Sequence, residues 1–277
     1  MSACAATAPP RQTLSSRRAR PTLHDVTHRS NSPPHHGTQA ISRALGLLRA
    51  LTDETPAWSL TRLAEATGLN KTTTLRLLRA LERDGFVARE DGAERYRLGP
   101  EAIAIGARAA RANPLRQAAR AELEMLARET GETATLEVLV GGDVLIVDEV
   151  AGRRLMTAGE IGVLYPAHAT GTGKVLLAAA RVPPPEHLAA LTPNTITDPA
   201  RLRLELDAAE AAGYAWNREE LERDFAAVGA PVRDGSGLVT AAIGLGGPVT
   251  RMLEREAIHV AAVVRAARRV SRRIGDR

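Results

Sequence analysis

The sequence predicts an α+β chain: a trihelical domain with a β wing, a joining helix, and a larger domain built on antiparallel sheet. Three observations carry that prediction. Residues 59–98 order a short helix, a glycine turn, a second amphipathic helix and a hairpin. Residues 135–150 and 225–245 each run as two apolar or alternating segments about a Gly/Asp-rich turn, as paired strands do. Asn113-Pro114 and Asp198-Pro199 each place a capping residue ahead of a proline, a start signal for a helix.

In the N-terminal part, residues 41–51 repeat apolar side chains at Ile41, Leu45, Leu48 and Leu51 and are expected to complete the trihelical core. Thr61 to Thr67 forms a short helix with Leu63, Ala64 and Ala66 inward. Gly68 supplies the positive φ of a sharp turn, and Asn70 stands where an N-cap belongs. On the next helix, at about 100° per residue, the leucines at 75, 77, 78 and 81 share one arc. Thr72, Thr73, Arg76, Arg79, Ala80 and Arg83 share the opposite arc, and the acids Glu82 and Asp84 come only at its far end. Gly85 ends the helix. Phe86-Val87-Ala88 and Tyr96-Arg97-Leu98 flank the turn-forming Asp91-Gly92, giving a two-stranded wing. Residues 39–99 thus read as a winged helix-turn-helix, whose second helix enters a DNA major groove. Thr72, Thr73 and Arg76 are placed to reach bases, and Lys71, Arg79, Arg95 and Arg97 to reach phosphates.

Charge distribution agrees. The formal net charge is +5, of which residues 1–38 carry +4, residues 39–99 carry +2 and the remainder −1. The basic excess lies where phosphates would be met, and the last 178 residues have no electrostatic call on nucleic acid. Cys4 is the one cysteine, which excludes an intrachain disulfide. No apolar run approaches the roughly 18 residues of a membrane span, and the arginine-bearing N-terminus lacks an apolar signal core. A cytoplasmic protein is expected. Residues 1–38 read as a disordered basic tail, and His24, His28, His35 and His36 within it lack a carboxylate or thiol framework for a metal. Neither a metal nor a cofactor is expected.

Residues 100–112 form a linker helix rich in small residues, with Ile103 and Ile105, suited to packing on a second copy. The domain over 113–277 opens with a helix from Pro114 to about Thr130. Strands over 135–140 and 144–150 follow, then a helix over 199–212, strands over 225–232 and 238–245, and one long helix from Val249 to Ile274. Thr135, Glu137 and Leu139 alternate with Leu136, Val138 and Val140 on the first strand. Antiparallel sheet with flanking helices describes a GAF- or PAS-like sensor, a layout that closes small-molecule pockets. Within it, Tyr165-Pro166-Ala167-His168-Ala169-Thr170-Gly171-Thr172-Gly173-Lys174 fails the phosphate-loop pattern at His168 and Val175. It reads as a glycine-rich entrance to a helix over Lys174–Ala180, whose free N–H groups suit a carboxylate. The alternative is that these glycines only let a helix pack closely.

The winged-helix residues Gly68-Leu69-Asn70-Lys71, Thr73 and Arg76-Leu77-Leu78 resemble the IclR family of bacterial transcriptional regulators. So do Tyr96 to Gly99, Ala167 to Lys174, Thr195-Ile196-Thr197-Asp198, Gly213-Tyr214-Ala215, Ala230-Pro231-Val232 and Gly247-Pro248 followed by Arg251. The resemblance spans about Gln39 to the C-terminus. It implies a homodimer or homotetramer on a palindromic double-stranded operator, responding to a small organic acid. By the same resemblance Gly171 and Thr172 would bind the effector carboxylate, and Tyr165 would hold a lid position. Asn217, Ala227, Gly244 and Gly246 fall where members sensing small 2-oxo acids commonly have Asp, Cys, Ser and Ser. That departure removes hydrogen-bonding partners for glyoxylate or pyruvate and should leave room, pointing to an aromatic or other bulky carboxylic acid walled by Tyr165 and Phe225.

Two other readings stand beside this one. A ligand-independent regulator with a degenerate pocket keeps the DNA reader and drops the effector. An enzyme would need His168 with Thr170, or Asp148 with Glu149, as acid–base pairs, yet no serine elbow, metal-ligand spacing or dinucleotide fingerprint accompanies them. No catalytic residue is therefore assigned.

Overall fold

The computed structural model describes residues 38–51, 56–90, 94–153, 161–181 and 187–275. The basic tail at 1–37 and the Asp91-Gly92 turn lie outside the described residues.

The N-terminal elements are α1 (Thr38–Ala50), β1 (Trp58–Ser59), α2 (Leu60–Thr67), α3 (Lys71–Arg83), β2 (Val87–Arg89) and β3 (Arg95–Leu98). Leu47, Leu51, Trp58, Leu63, Leu78, Val87 and Tyr96 form their shared core. Ser59 caps α2 by accepting from the Arg62 amide, Gly68 closes it in the left-handed region at φ 65°, and Asn70 caps α3 by accepting from the Thr73 amide at 2.8 Å. Two expectations need correction. The apolar band of α1 is wider than its buried edge: the core takes Leu47 and Leu51, and leaves Ile41 at 62% and Leu45 at 44% exposure. The wing is three-stranded, not two-stranded, because Trp58 and Ser59 pair with Tyr96 and Arg95 in the order β1-β3-β2. A two-residue strand is too short to show a sequence period.

The helix α4 (Pro100–Ala112) leads to α5 (Pro114–Thr130), where the Asn113 side chain accepts from the amides of Leu115 and Arg116. Then come β4 (Thr133–Val140), β5 (Asp143–Val150), β6 (Leu164–Pro166), α6 (Gly171–Ala180), α7 (Pro199–Ala212), β7 (Ala215–Arg218), β8 (Phe225–Arg233), β9 (Val239–Pro248), α8 (Val249–Glu254) and α9 (Glu256–Gly275). The six strands form one antiparallel sheet in the order β6-β5-β4-β9-β8-β7. Successive β9 residues point to opposite faces. Ala241, Ile243 and Leu245 join α5 and α9 in one core, while Ala242 joins α6 and α7 in the other. The sheet is thus covered on both sides, and its strands β8 and β9 are nearly continuously apolar.

The predicted terminal helix over 249–274 is interrupted at Arg255, whose φ of −120° leaves the helical region. The break re-phases the buried stripe to His259, Ala262, Val263, Ala266, Ala267 and Val270, and Ala257, expected inside, is exposed. Strands β6 and β7, too short to announce themselves, extend the sheet at its two edges.

Candidate functional site

The outer face of α3 carries Lys71, Thr72, Arg76 and Arg79, all exposed, with Thr73 half-buried beside them. On β3, Arg95 and Arg97 are exposed on either side of buried Tyr96, as strand alternation requires. Among the described residues none of the five cations at these seven positions is in an ion pair, whereas Arg83 and Arg89, nearby, pair with Asp84 and Glu94. Five unspent positive charges and two hydroxyls on one helix face and its wing are what a phosphate backbone and base edges require.

In the C-terminal domain a cavity forms where the start of α6 meets the sheet. A 3-10 turn over Ala167–Ala169 precedes it, and α6 begins at Gly171, not Lys174. Thr170 is the N-cap: its Oγ1 accepts from the Gly173 amide at 2.9 Å, and its carbonyl accepts from Lys174 N at 3.0 Å. The Gly171 and Thr172 amides precede that first helical bond and have no acceptor within the helix. The glycines also pack closely, as the alternative reading held. A Cβ on Gly171 would lie 2.7 Å from the Ala215 carbonyl oxygen, and one on Gly229, which sequence reasoning passed over, 2.4 Å from Thr172 N. Only glycine lets the helix start approach β7 and β8 this far.

All eight residues expected at the effector line this one cavity: Tyr165, Gly171, Thr172, Asn217, Phe225, Ala227, Gly244 and Gly246. Thr135, Glu137, Ile146, Thr170, Leu221 and Leu245 complete the lining and were not expected there. The cavity volume is about 30 Å³, room for roughly two waters. The expectation that the missing serine at 244 leaves room is corrected by its neighbours. A Cβ on Gly244 would fall 2.3 Å from Thr135 Oγ1 and 3.1 Å from Glu137 Oε1, so those side chains already fill the space.

Glu137 is buried, with Oε1 accepting from the Thr135 hydroxyl at 2.6 Å and Oε2 from the Thr172 hydroxyl at 2.5 Å. Burial pushes its carboxyl above the ordinary carboxylate range, and the two threonine hydroxyls pull the other way. No cation pairs with it among the described residues. Lys174, one turn into α6 and fully buried, is committed elsewhere: Nζ meets Glu220 at 2.7 Å, Glu205 at 3.2 Å and the Trp216 carbonyl at 2.9 Å. Asn217 Oδ1 accepts from the amides of Glu220 at 2.8 Å and Leu221 at 3.4 Å. The groups weighed for acid–base chemistry are used structurally. Asp148 is buried against Arg116 and Arg120, each at 3.1 Å, and His168 Nε2 sits 3.1 Å from the Ala189 carbonyl. Burial holds the His168 ring below its ordinary pKa.

A winged helix with a free cationic face, joined by a helix to a sheet domain that closes a cavity over a helix start, defines a DNA-binding regulator with a sensor domain. The model of the IclR helix-turn-helix domain matches residues 40–91, and that of the bacterial transcriptional regulator IclR C-terminal domain matches residues 107–272. The chain belongs to the IclR family of transcriptional regulators. The "Glycerol operon regulatory protein" of Streptomyces coelicolor is 35% identical over 86% of this chain and 96% of its own length. An IclR-type regulator from Alicyclobacillus acidocaldarius, solved by crystallography, matches with TM-score 0.72 at 32% identity over 84% of this chain and 98% of that one. An IclR homolog from Microbacterium hydrocarbonoxydans, solved with 4-hydroxybenzoate, matches with TM-score 0.71 at 24% identity over 86% of this chain and all of that one, a likeness of fold. No helix among the described residues is long and apolar enough to cross a membrane.

Proposed function

We propose that this regulator is switched by a small organic carboxylic acid bound in the cavity at the start of α6, and that binding there changes its affinity for a palindromic operator. The convergence on one cavity of the eight residues expected at the effector from the family resemblance carries the reading. The Gly171 and Thr172 amides and the positive end of α6 take the carboxylate, and Ile146, Tyr165, Leu221 and Phe225 offer apolar walls to a flat body. Thr72, Thr73 and Arg76 read bases, while Lys71, Arg79, Arg95 and Arg97 hold phosphates. The domains divide at 39–99, 100–112 and 113–277, and the chain works in the cytoplasm as a homodimer or homotetramer. Ile103 on α4 is 74% exposed and Ile41 on α1 is 62% exposed, apolar surface that a second copy would cover.

The test is thermal stabilisation of the full chain by a panel of aliphatic and aromatic carboxylic acids, followed by operator binding with each hit. A ligand at about 100 times its Kd adds roughly 2.7 kcal/mol of stability. A hit that also shifts operator affinity supports the reading, and a hit that leaves operator affinity unchanged removes the switch. The small volume favours one competing reading, a ligand-independent regulator, and a panel that is flat with amino acids included would support that instead.

A further inference from the structure

Two buried polar groups in the cavity lack a partner of opposite character. Asn217 is fully buried, and because its Oδ1 takes two backbone amides, its Nδ2 is fixed as the other end. That Nδ2 has no acceptor among the described residues. Glu137 has two hydroxyl donors but no cation, although a buried carboxyl is ordinarily paired with one. Both residues line the same cavity, together with the Gly171 and Thr172 amides. The cavity therefore offers donors, which want a carboxylate or carbonyl oxygen, and an acid, which wants an ammonium.

We propose that the cavity selects a bifunctional effector, an amino acid or amino-substituted carboxylic acid, whose carboxylate meets Asn217 and the start of α6 and whose amino group pairs with Glu137. The inference rests on the cavity being the effector site, and it names the ligand class that site takes. A plain carboxylate would bring a second negative charge beside Glu137 with nothing to balance it, at a cost that grows in a water-poor cavity. An amine alone would satisfy Glu137 and leave Asn217 Nδ2 without an acceptor. Gly244 and Ala227 belong to the same arrangement: the first gives up its side chain so that Thr135 and Glu137 fit, and neither competes for the ligand's polar ends.

The experiment compares matched probes on the full chain by calorimetry and thermal shift: propionate, β-alanine and propylamine, then benzoate, 4-(aminomethyl)benzoate and benzylamine. In at least one series the amino acid is expected to bind about tenfold or more tighter than both the plain acid and the plain amine. The isosteric Glu137→Gln variant is expected to reduce that preference to about threefold or less. The comparison among probes on the unaltered chain decides the matter even where that variant folds poorly. Plain acids binding as tightly as the amino acids, or a preference that survives Glu137→Gln, would overturn the proposal while leaving the effector cavity standing. No binding by any probe would overturn both.

Discussion

The guanidinium of Arg251 grips the carboxylate of Glu132 through two parallel hydrogen bonds, Nε to Oε1 and Nη2 to Oε2, each 2.8 Å, across 119 residues of chain. The pair ties the first residue before β4 to α8, directly after β9, and Glu132 is only 3% exposed. Gly247 makes it possible, since a Cβ there would sit 2.2 Å from Glu132 Oε2. Arg251→Ala strands a buried carboxylate, so a loss of about 2–3 kcal/mol is expected, below the full cost of breaking a wholly buried pair because the arginine is partly exposed. Gly247→Ala displaces the carboxylate without removing its partner and is expected to cost less, about 1 kcal/mol. Urea denaturation of the full chain reads both, and an unchanged midpoint for Arg251→Ala would make the pair a surface ornament.

The opposite faces of α3 were legible because a 3.6-residue period separates leucines from threonines and arginines over three turns. Helix ends were legible because Asn70, Asn113, Asp198, Gly68, Gly131 and Gly213 carry specific capping geometry. Glu137 was not. On an alternating strand an acid reads as facing water, and nothing local tells that α6 covers that face. The break at Arg255 was hidden for a similar reason: the apolar period continues through it. Ile41 and Leu45 belong to a helix with more apolar surface than its own domain covers, so a period alone does not choose the buried edge.

Gly99 lies between the wing and α4, where its amide donates to the Phe86 carbonyl at 2.8 Å and the Gly85 carbonyl accepts from Glu101 N at 3.0 Å. A Cβ on Gly99 would stand 2.3 Å from that Gly85 oxygen, a backbone atom already held in place. Gly99→Ala is expected to destabilise the DNA-binding domain by about 2 kcal/mol through overpacking and to weaken operator binding. Its effect on effector affinity should be nil, since the cavity lies in the other domain. Equal losses at both sites would place the strain outside the wing.

Arg76 and Arg79 are both exposed on α3 and have no ion pair among the described residues, but they are assigned different work. Arg76→Ala is expected to lower affinity for the operator by about 1–3 kcal/mol relative to scrambled DNA, the worth of one base contact. Arg79→Ala should weaken all DNA alike and flatten the salt dependence by about one phosphate contact. Titrations against operator and scrambled duplexes at several salt concentrations separate them. Unchanged selectivity after Arg76→Ala would take that residue off the base-reading list.

Glu137 also makes stability depend on pH. Its carboxyl is raised in the folded chain by burial, against the donation of Thr135 and Thr172, and no cation faces it from α6, since Lys174 is bound to Glu205 and Glu220. Once pH passes the ordinary carboxylate range, the unfolded chain has released the proton that the fold still holds. Stability from this group therefore falls as pH rises, until Glu137 ionises in the fold as well. Glu137→Gln cannot ionise and keeps an oxygen for one threonine hydroxyl, so it should be more stable than the parent chain near neutral pH, with the advantage shrinking toward acid pH. Melting the two proteins side by side from mildly acidic to neutral pH measures the difference. A gap that stays constant over that range would mean that Glu137 carries no more proton folded than unfolded.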